Sequence, residues 1–415
     1  MRSIRVSLGV VLLAATGCVG EGHVALIDAP VAPVGRITLQ ILPEPGDMAV
    51  ADALGWRTGI PGAQVVVHAT SGDRIGTTDA AGKFEVSLES GSFVIEVNRV
   101  LSDAEALRVP TVEGALGFAL TSSLLLGNSS LVSVPVPAAR KKGLIISEFA
   151  FNSGVLPGVT GYSDGGYFEL YNNGDTTVYL DGMLVGESFT LPFKPNYATC
   201  QDEDRLKSDP LFLWAEQIYR FPGRGREHPV APGGVVVLAT DAIDHRPIIA
   251  NGLDLSHADF EFIGFSDVDN PAVPNMIQAG QPFLDGHGFY AGGDASTVTY
   301  LALPVDLTQA PRQRNLSNPP TDAFIYEGIG RTSMIDVYSH LRRGGYTFPP
   351  CLPLLLPLYD RESASLTGDA AANTDFVVSH ARRLFVERNG RKYLLWTHSS
   401  RTDFVRGTRT VGTVP

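Results

Sequence analysis

Oxygen and imidazole groups crowd one stretch of this 415-residue chain. Asp241, Asp244 and His245 fall close together, Asp254, His257, Asp259 and Glu261 come next, and Asp267, Asp269 and Asn270 follow. Calcium takes roughly six to eight oxygens, which carboxylates and side-chain amides on a loop can supply. The turn of Asp267, Asp269 and Asn270 is the best placed, because its spacing sets two carboxylates on one loop. Calcium is also the one cofactor the residues suggest. Asp and Asn equally close turns and cap helices with no metal present, so both alternatives stay open. Glu148 and Glu169 raise a second chemistry, the paired acids that flank a glycosidic bond during hydrolysis. The competing role is structural, with both carboxyls accepting hydrogen bonds at a sheet end.

Three familiar reactive patterns are missing. The chain has no H-E-x-x-H helix, no P-loop and no C-x-x-C pair. Gly328-Ile329-Gly330 starts like a dinucleotide fingerprint but lacks the third glycine, and it reads as a loop turn. The formal charge is −12, and such an acidic surface repels nucleic-acid phosphate.

The N-terminus carries a different kind of chemistry. Arg2 and Arg5 precede an apolar run over 6–15, and Ala15-Thr16-Gly17 places small residues before Cys18. Such a run is too short for a bilayer span of roughly 20 residues and has the layout of an export signal. It resembles the bacterial lipoprotein signal, in which the cysteine is lipidated on sulfur and amine. Ala15 departs from that pattern, where Leu is commoner, and the alternative is an ordinary signal with an incidental cysteine. The resemblance implies removal of residues 1–17, lipidation of Cys18, and a tether over 18–35. It also implies attachment to the cell envelope, with Val19 favouring the outer membrane. Loss of Arg2 and Arg5 takes the formal charge from −12 to −14. Cys200 and Cys351 then remain as a pair, and export allows a disulfide between them. Closing that long loop would be worth on the order of 4–5 kcal/mol by chain entropy; two free thiols are the alternative.

The elements that must hold these residues read as strands. Arg36–Ile41 alternates apolar and polar residues, the period of a half-buried strand. Alternation returns over 63–69, 83–86, 91–97 and 131–136, with glycine-containing turns between. The stretch 101–130 is ambiguous, with a helix around Asp103–Leu107 as one option. Pro61-Gly62, Thr78-Asp79-Ala80-Ala81-Gly82-Lys83-Phe84 and the strand from Gly91 to Val97 resemble the carboxypeptidase regulatory-like domain. That resemblance implies a transthyretin-type β-sandwich over 36–137, a spacer with no catalytic residues. A small basic joint, Ala138 to Gly143, follows. Beyond it, Ser147-Glu148, then Phe168-Glu169-Leu170-Tyr171-Asn172, then Leu180-Asp181-Gly182 resemble the lamin-tail type of immunoglobulin-like sandwich. That second resemblance covers 143–415 and implies an uncharacterised family of envelope lipoproteins with long insertions. It also implies a framework role for Glu148 and Glu169.

The expected fold is therefore all-β, two β-sandwich domains of which the second has long loop insertions. The expected function is non-catalytic: a lipid-anchored binding or scaffolding accessory to an outer-membrane protein or a surface glycan. Two alternatives are a hydrolase of surface glycan or protein and a calcium-stabilised adhesion module. Residues 376–415 carry eight Arg or Lys against two acids, either a strip facing anionic lipid or glycan or a solvated strand face. Phe348–Tyr359, apolar and rich in proline, is either a plug on the second sandwich or a contact surface.

Overall fold

The structure is a computed structural model. It describes residues 35–414, apart from 90, 111–113, 127–129, 151–153, 157–158, 163–164, 189–208, 250–251, 263–268, 281–296, 315–324, 343–355 and 367–377.

The first unit is a two-sheet sandwich. Gly35–Pro43 buries Ile37, Leu39 and Ile41 at every second position. It lies in the middle of a three-stranded sheet, antiparallel to Lys83–Leu88 and parallel to Leu131–Val136. Facing it is a five-stranded sheet ordered Arg74–Thr77, Gln64–His68, Gly91–Val100, Ala115–Leu126 and Ala138–Arg140. Leu39, Ile41, Val65, Val67, Ile95, Val97 and Phe118 fill the space between the sheets, each contributing roughly 1.5–3 kcal/mol by leaving water. In the predicted turn, Asp79 Oδ1 accepts the N–H groups of Ala81 and Lys83, and Gly82 takes φ +76°. The ambiguous 101–130 stretch resolves into both kinds of element. Asp103–Ala106 is one helical turn closed by a Ser102/Glu105 capping box, and Ala115–Leu126 is a twelve-residue strand.

The second unit is larger. Its six-stranded sheet runs Phe260–Glu261, Val235–Ala239, Tyr167–Asn172, Leu144–Ala150, Val378–Arg382 and Phe404–Thr408. The opposing sheet runs Arg312–Arg314, Ile325–Gly330, Phe212–Arg220, Leu184–Ser188, Thr297–Ala302, Met334–Arg342 and Ala364–Leu366, with Ile277–Gln278 pairing on Phe212–Arg220. Ile146, Phe149, Phe168 and Leu170 of the first sheet meet Val185, Tyr219, Leu301 and Tyr338 of the second. The Phe149 and Tyr338 rings lie 5.1 Å apart. Gly328 to Gly330 belong to a strand, with Gly328 opposite Trp214 and Ile329 opposite Leu213, and not to the loop turn expected from the sequence. The buried neighbours Tyr326 and Ile329 draw the segment into the sheet. Leu356, Leu358 and Tyr359 pack against the outer side of this sheet, so the described end of the proline-rich segment covers it. No helix among the described residues is long and apolar enough to cross a membrane.

The two units meet broadside. The joint predicted over 138–143 is partly a strand, and Arg140 forms a β-bridge with Trp396. Leu116 and Ala119, on the outer face of the five-stranded sheet, pack with Leu395 and are flanked by Leu384, Val386 and Tyr393. Several basic residues of 376–415 lie in this seam. Arg383 reaches Glu96 and Thr121, Arg388 donates to the Leu101 carbonyl, Arg401 reaches Ser123, and the Thr402 hydroxyl accepts the Thr121 N–H. The strip is therefore an internal contact along much of its length, not a uniform solvated face. Arg383 and Arg388 are met by acids and a carbonyl of the first unit, whereas Arg382, Arg391 and Arg401 pair with acids of the second.

Candidate functional site

Glu148 and Glu169 come together as the sequence suggested. They are cross-strand partners on neighbouring antiparallel strands, and both are fully buried. The alternation that sends Phe168 and Leu170 into the core turns Tyr167, Glu169 and Tyr171 to the opposite face. There the C-terminal segment closes over them. Glu148 accepts the Tyr167 hydroxyl at 2.7 Å, the Thr410 N–H at 3.0 Å and the Thr410 hydroxyl. Glu169 Oε1 accepts the Gly412 N–H, while its Oε2 is buried without a hydrogen-bond partner among the described residues. Burial, with Glu148 adding like charge beside it, raises the Glu169 carboxyl to about 9. The pair is thus one neutral acid beside a heavily hydrogen-bonded one. A glycosidase needs its acids open to a sugar, and these are sealed by the chain's own tail.

The Asp-rich stretch folds as a cap over the outer face of the same sheet. Its Ala242, Leu255, Ala258 and Val273 pack on Ala150, Tyr167 and Ala239. Its acids serve separate turns. Asp244 and Asp254 share Arg246, Asp254 also takes the Ser256 N–H, and Asp259 accepts the Val237 N–H at 2.8 Å. Glu261 accepts from the N–H groups of Ala242 and Asn270, and His245 shares a hydrogen bond with the Asp241 carbonyl. Within the calcium candidate, Asp269 accepts the Asn275 amide at 2.7 Å, and the Asn270 amide donates to the carbonyls of Ala242 and Ser256. Asp267 lies outside the described residues. Among the described residues no group of three or more His, Cys, Asp or Glu gathers in a metal-binding arrangement.

Cys18, Cys200 and Cys351 also lie outside the described residues. Gly161-Tyr162-Ser163-Asp164-Gly165 has the G-x-S-x-G spacing of a nucleophile elbow, a pattern the sequence reading missed. Ser163 and Asp164 fall outside the described residues. The flanking elements are two strands, Val159–Tyr162 and Tyr167–Asn172, where an elbow leads from strand to helix.

A polar cluster at the joint escaped sequence reasoning altogether. Arg382, fully buried, donates to Asp336 at 2.7 Å, to Asp403 at 2.6 Å and to the Ile146 carbonyl at 2.7 Å. Asp336 also accepts the Trp396 indole N–H at 2.9 Å. Above that indole, Lys142 Nζ stands 3.8 Å from the ring centre, and the His398 ring stacks at 5.0 Å. His398 has φ +64°, rare for any residue but glycine. Burial, with Lys142 next in effect, lowers its imidazole to about 4, and burial likewise lowers the Lys142 amine. Lys142, Trp396 and His398 are half-buried and stay in reach of solvent. The one sequence signal was the basic run Arg140-Lys141-Lys142, which carries no hint of a partner more than 250 residues away.

Comparison with known proteins gives a family match over part of the chain and a likeness of fold. A model of a family described as a protein of unknown function (DUF4876) matches residues 231–290, the strand Val235–Ala239 and the cap after it. The crystal structure of a DUF4876 family protein from Bacteroides thetaiotaomicron superposes with a TM-score of 0.50 at 16% identity. The match covers 91% of this chain and 98% of that one, a likeness of fold. No curated protein matches.

Proposed function

We propose that this protein is an exported envelope lipoprotein, held by lipid on Cys18, that acts without catalysis as a binding or scaffolding accessory. Its partner in this reading is an outer-membrane protein or a surface glycan. The observation that carries it is the closure of the acids best placed for chemistry. Glu148 and Glu169 are covered by Thr410 and Gly412, and the described acids of the 241–270 cap are mostly committed to separate turns. In the same proposal the first unit is a carboxypeptidase regulatory-like spacer, a reading supported by the Asp79 turn. The second is a lamin-tail-like sandwich, supported by the Glu148/Glu169 pairing and by Asn172, whose amide donates to Thr176 and Val230. Loops on such a rigid scaffold supply contact surface. The test is crosslinking in intact cells followed by identification of the captured species. Capture of an outer-membrane β-barrel or a glycan, lost in Cys18→Ser, is the expected result. Recovery of the uncrosslinked protein alone, with or without Cys18, would overturn the proposal.

A further inference from the structure

The joint gathers basic side chains whose hydrogen-bonding capacity the fold uses only in part. Lys142 rests on the Trp396 ring at 3.8 Å, yet its ammonium has no hydrogen-bond acceptor and no ion-pair partner among the described residues. A cation–π contact at a half-exposed place is worth about 0.5–1 kcal/mol and satisfies none of three ammonium N–H donors. His398 stacks on the same indole in a left-handed conformation, a strain of roughly 1–2 kcal/mol that surrounding structure must impose. Arg361 donates its backbone N–H to the His398 carbonyl at 2.9 Å and pairs one guanidinium nitrogen, Nη1, with Glu44 of the first unit. Arg361 is exposed, and its remaining guanidinium nitrogens have no partner among the described residues. Asp336, which accepts the indole N–H, is already occupied by Arg382 and the Ile146 N–H as well.

We propose that Lys142, His398 and Arg361, floored by Trp396, form a binding site for a phosphate group at the joint between the two sandwiches. Phosphate presents several oxygens at once, and a charged donor to each makes a strong hydrogen bond. Burial lowers the His398 imidazole to about 4, so the ring is neutral when the site is empty, and burial lowers the Lys142 amine from its ordinary range. A phosphate that carries a proton can donate to the neutral imidazole while accepting from the ammonium and guanidinium. Free phosphate and a phospholipid headgroup share this chemistry.

The site is tested by thermal melts of the full chain in sodium phosphate against sodium chloride at equal ionic strength. At about ten times the dissociation constant, phosphate raises the melting temperature by roughly 2 °C. The rise disappears in Lys142→Met and in His398→Asn. Asparagine tolerates positive φ, so the second variant keeps the backbone even if the first loosens the joint. An equal rise in chloride, or a phosphate rise that survives in both variants, overturns the proposal. Sedimentation of the Cys18→Ser chain with phosphatidylglycerol vesicles separates the sources. Retention that depends on Lys142 assigns the phosphate to a headgroup, and a phosphate shift without retention assigns it to a soluble ligand.

Discussion

Glu169 is a carboxyl that gains by being neutral. Its folded value of about 9 lies above the ordinary 4.5, so the folded chain keeps a proton that the unfolded chain releases in between. Stability from this group is therefore fully present below pH 4.5 and is lost as pH rises toward 9. Glu169→Gln removes the titration, and its melting temperature is expected to exceed the native one at pH 9, by a stabilisation on the order of a few kcal/mol. Melts from pH 5 to 9 check this; parallel curves for the two proteins would refute it. Asp181 has the opposite sign. Burial would raise it, but the N–H groups of Glu227, His228 and Gly225 outweigh burial and hold it at about 2. Its contribution is present above the ordinary carboxylate range and fades as pH falls through 2. Asp181→Ala leaves three loop donors to water and costs about 1 kcal/mol, readable as an earlier urea midpoint with an unchanged slope. Sequence spacing revealed the Glu148/Glu169 pairing, because both glutamates sit in short apolar strands joined by a loop. The tail that covers them was invisible, since nothing in Thr410-Val411-Gly412 announces what it will touch.

Strands with a clean period of two were legible, as in Arg36–Ile41, where alternation and burial agree. Leu184–Ser188 was not, because all five residues are buried and no polar alternation marks it. The helix Met48–Leu54 was missed for a related reason. Seven residues hold one buried stripe of Val50, Ala51 and Leu54, too short for a helical period to stand out, although Gly55 at φ +76° ends it in the usual way. Loops were read as candidate sites because Asp and Asn serve turns and metals alike; the structure spends Asp259 and Glu261 on backbone donors. The buried Arg382 bridges the strands Val378–Arg382 and Met334–Arg342 and the helical turn Ser400–Asp403. Arg382→Met leaves Asp336 and Asp403 buried without their cation, an expected loss of about 3–5 kcal/mol. Chemical denaturation measures it, and a loss below about 1 kcal/mol would mean that water enters the site.

The seam between the sandwiches makes the molecule one body. Arg383, Arg388, Arg401 and Thr402 tie the second unit to Glu96, Thr121, Leu101 and Ser123 of the first, and Leu116 and Leu395 are buried together. Calorimetry is expected to show a single unfolding transition. Two resolved transitions in the native chain would mean that the units unfold independently. Reversing Glu96 to Arg places like charge against Arg383 and is expected to lower the first unit's transition until it separates from the second.

The placement of Gly35–Pro43 has a mechanical consequence. The first described strand begins at Gly35, and the parallel strand Leu131–Val136 leaves toward the second unit. In the proposed anchorage, tension between membrane and partner would pull these two strands in opposite directions along their length. Every hydrogen bond between them is then loaded together, as in a lap joint, whereas a hairpin pulled from its open end parts one bond at a time. A first unit joined in this way resists being dragged.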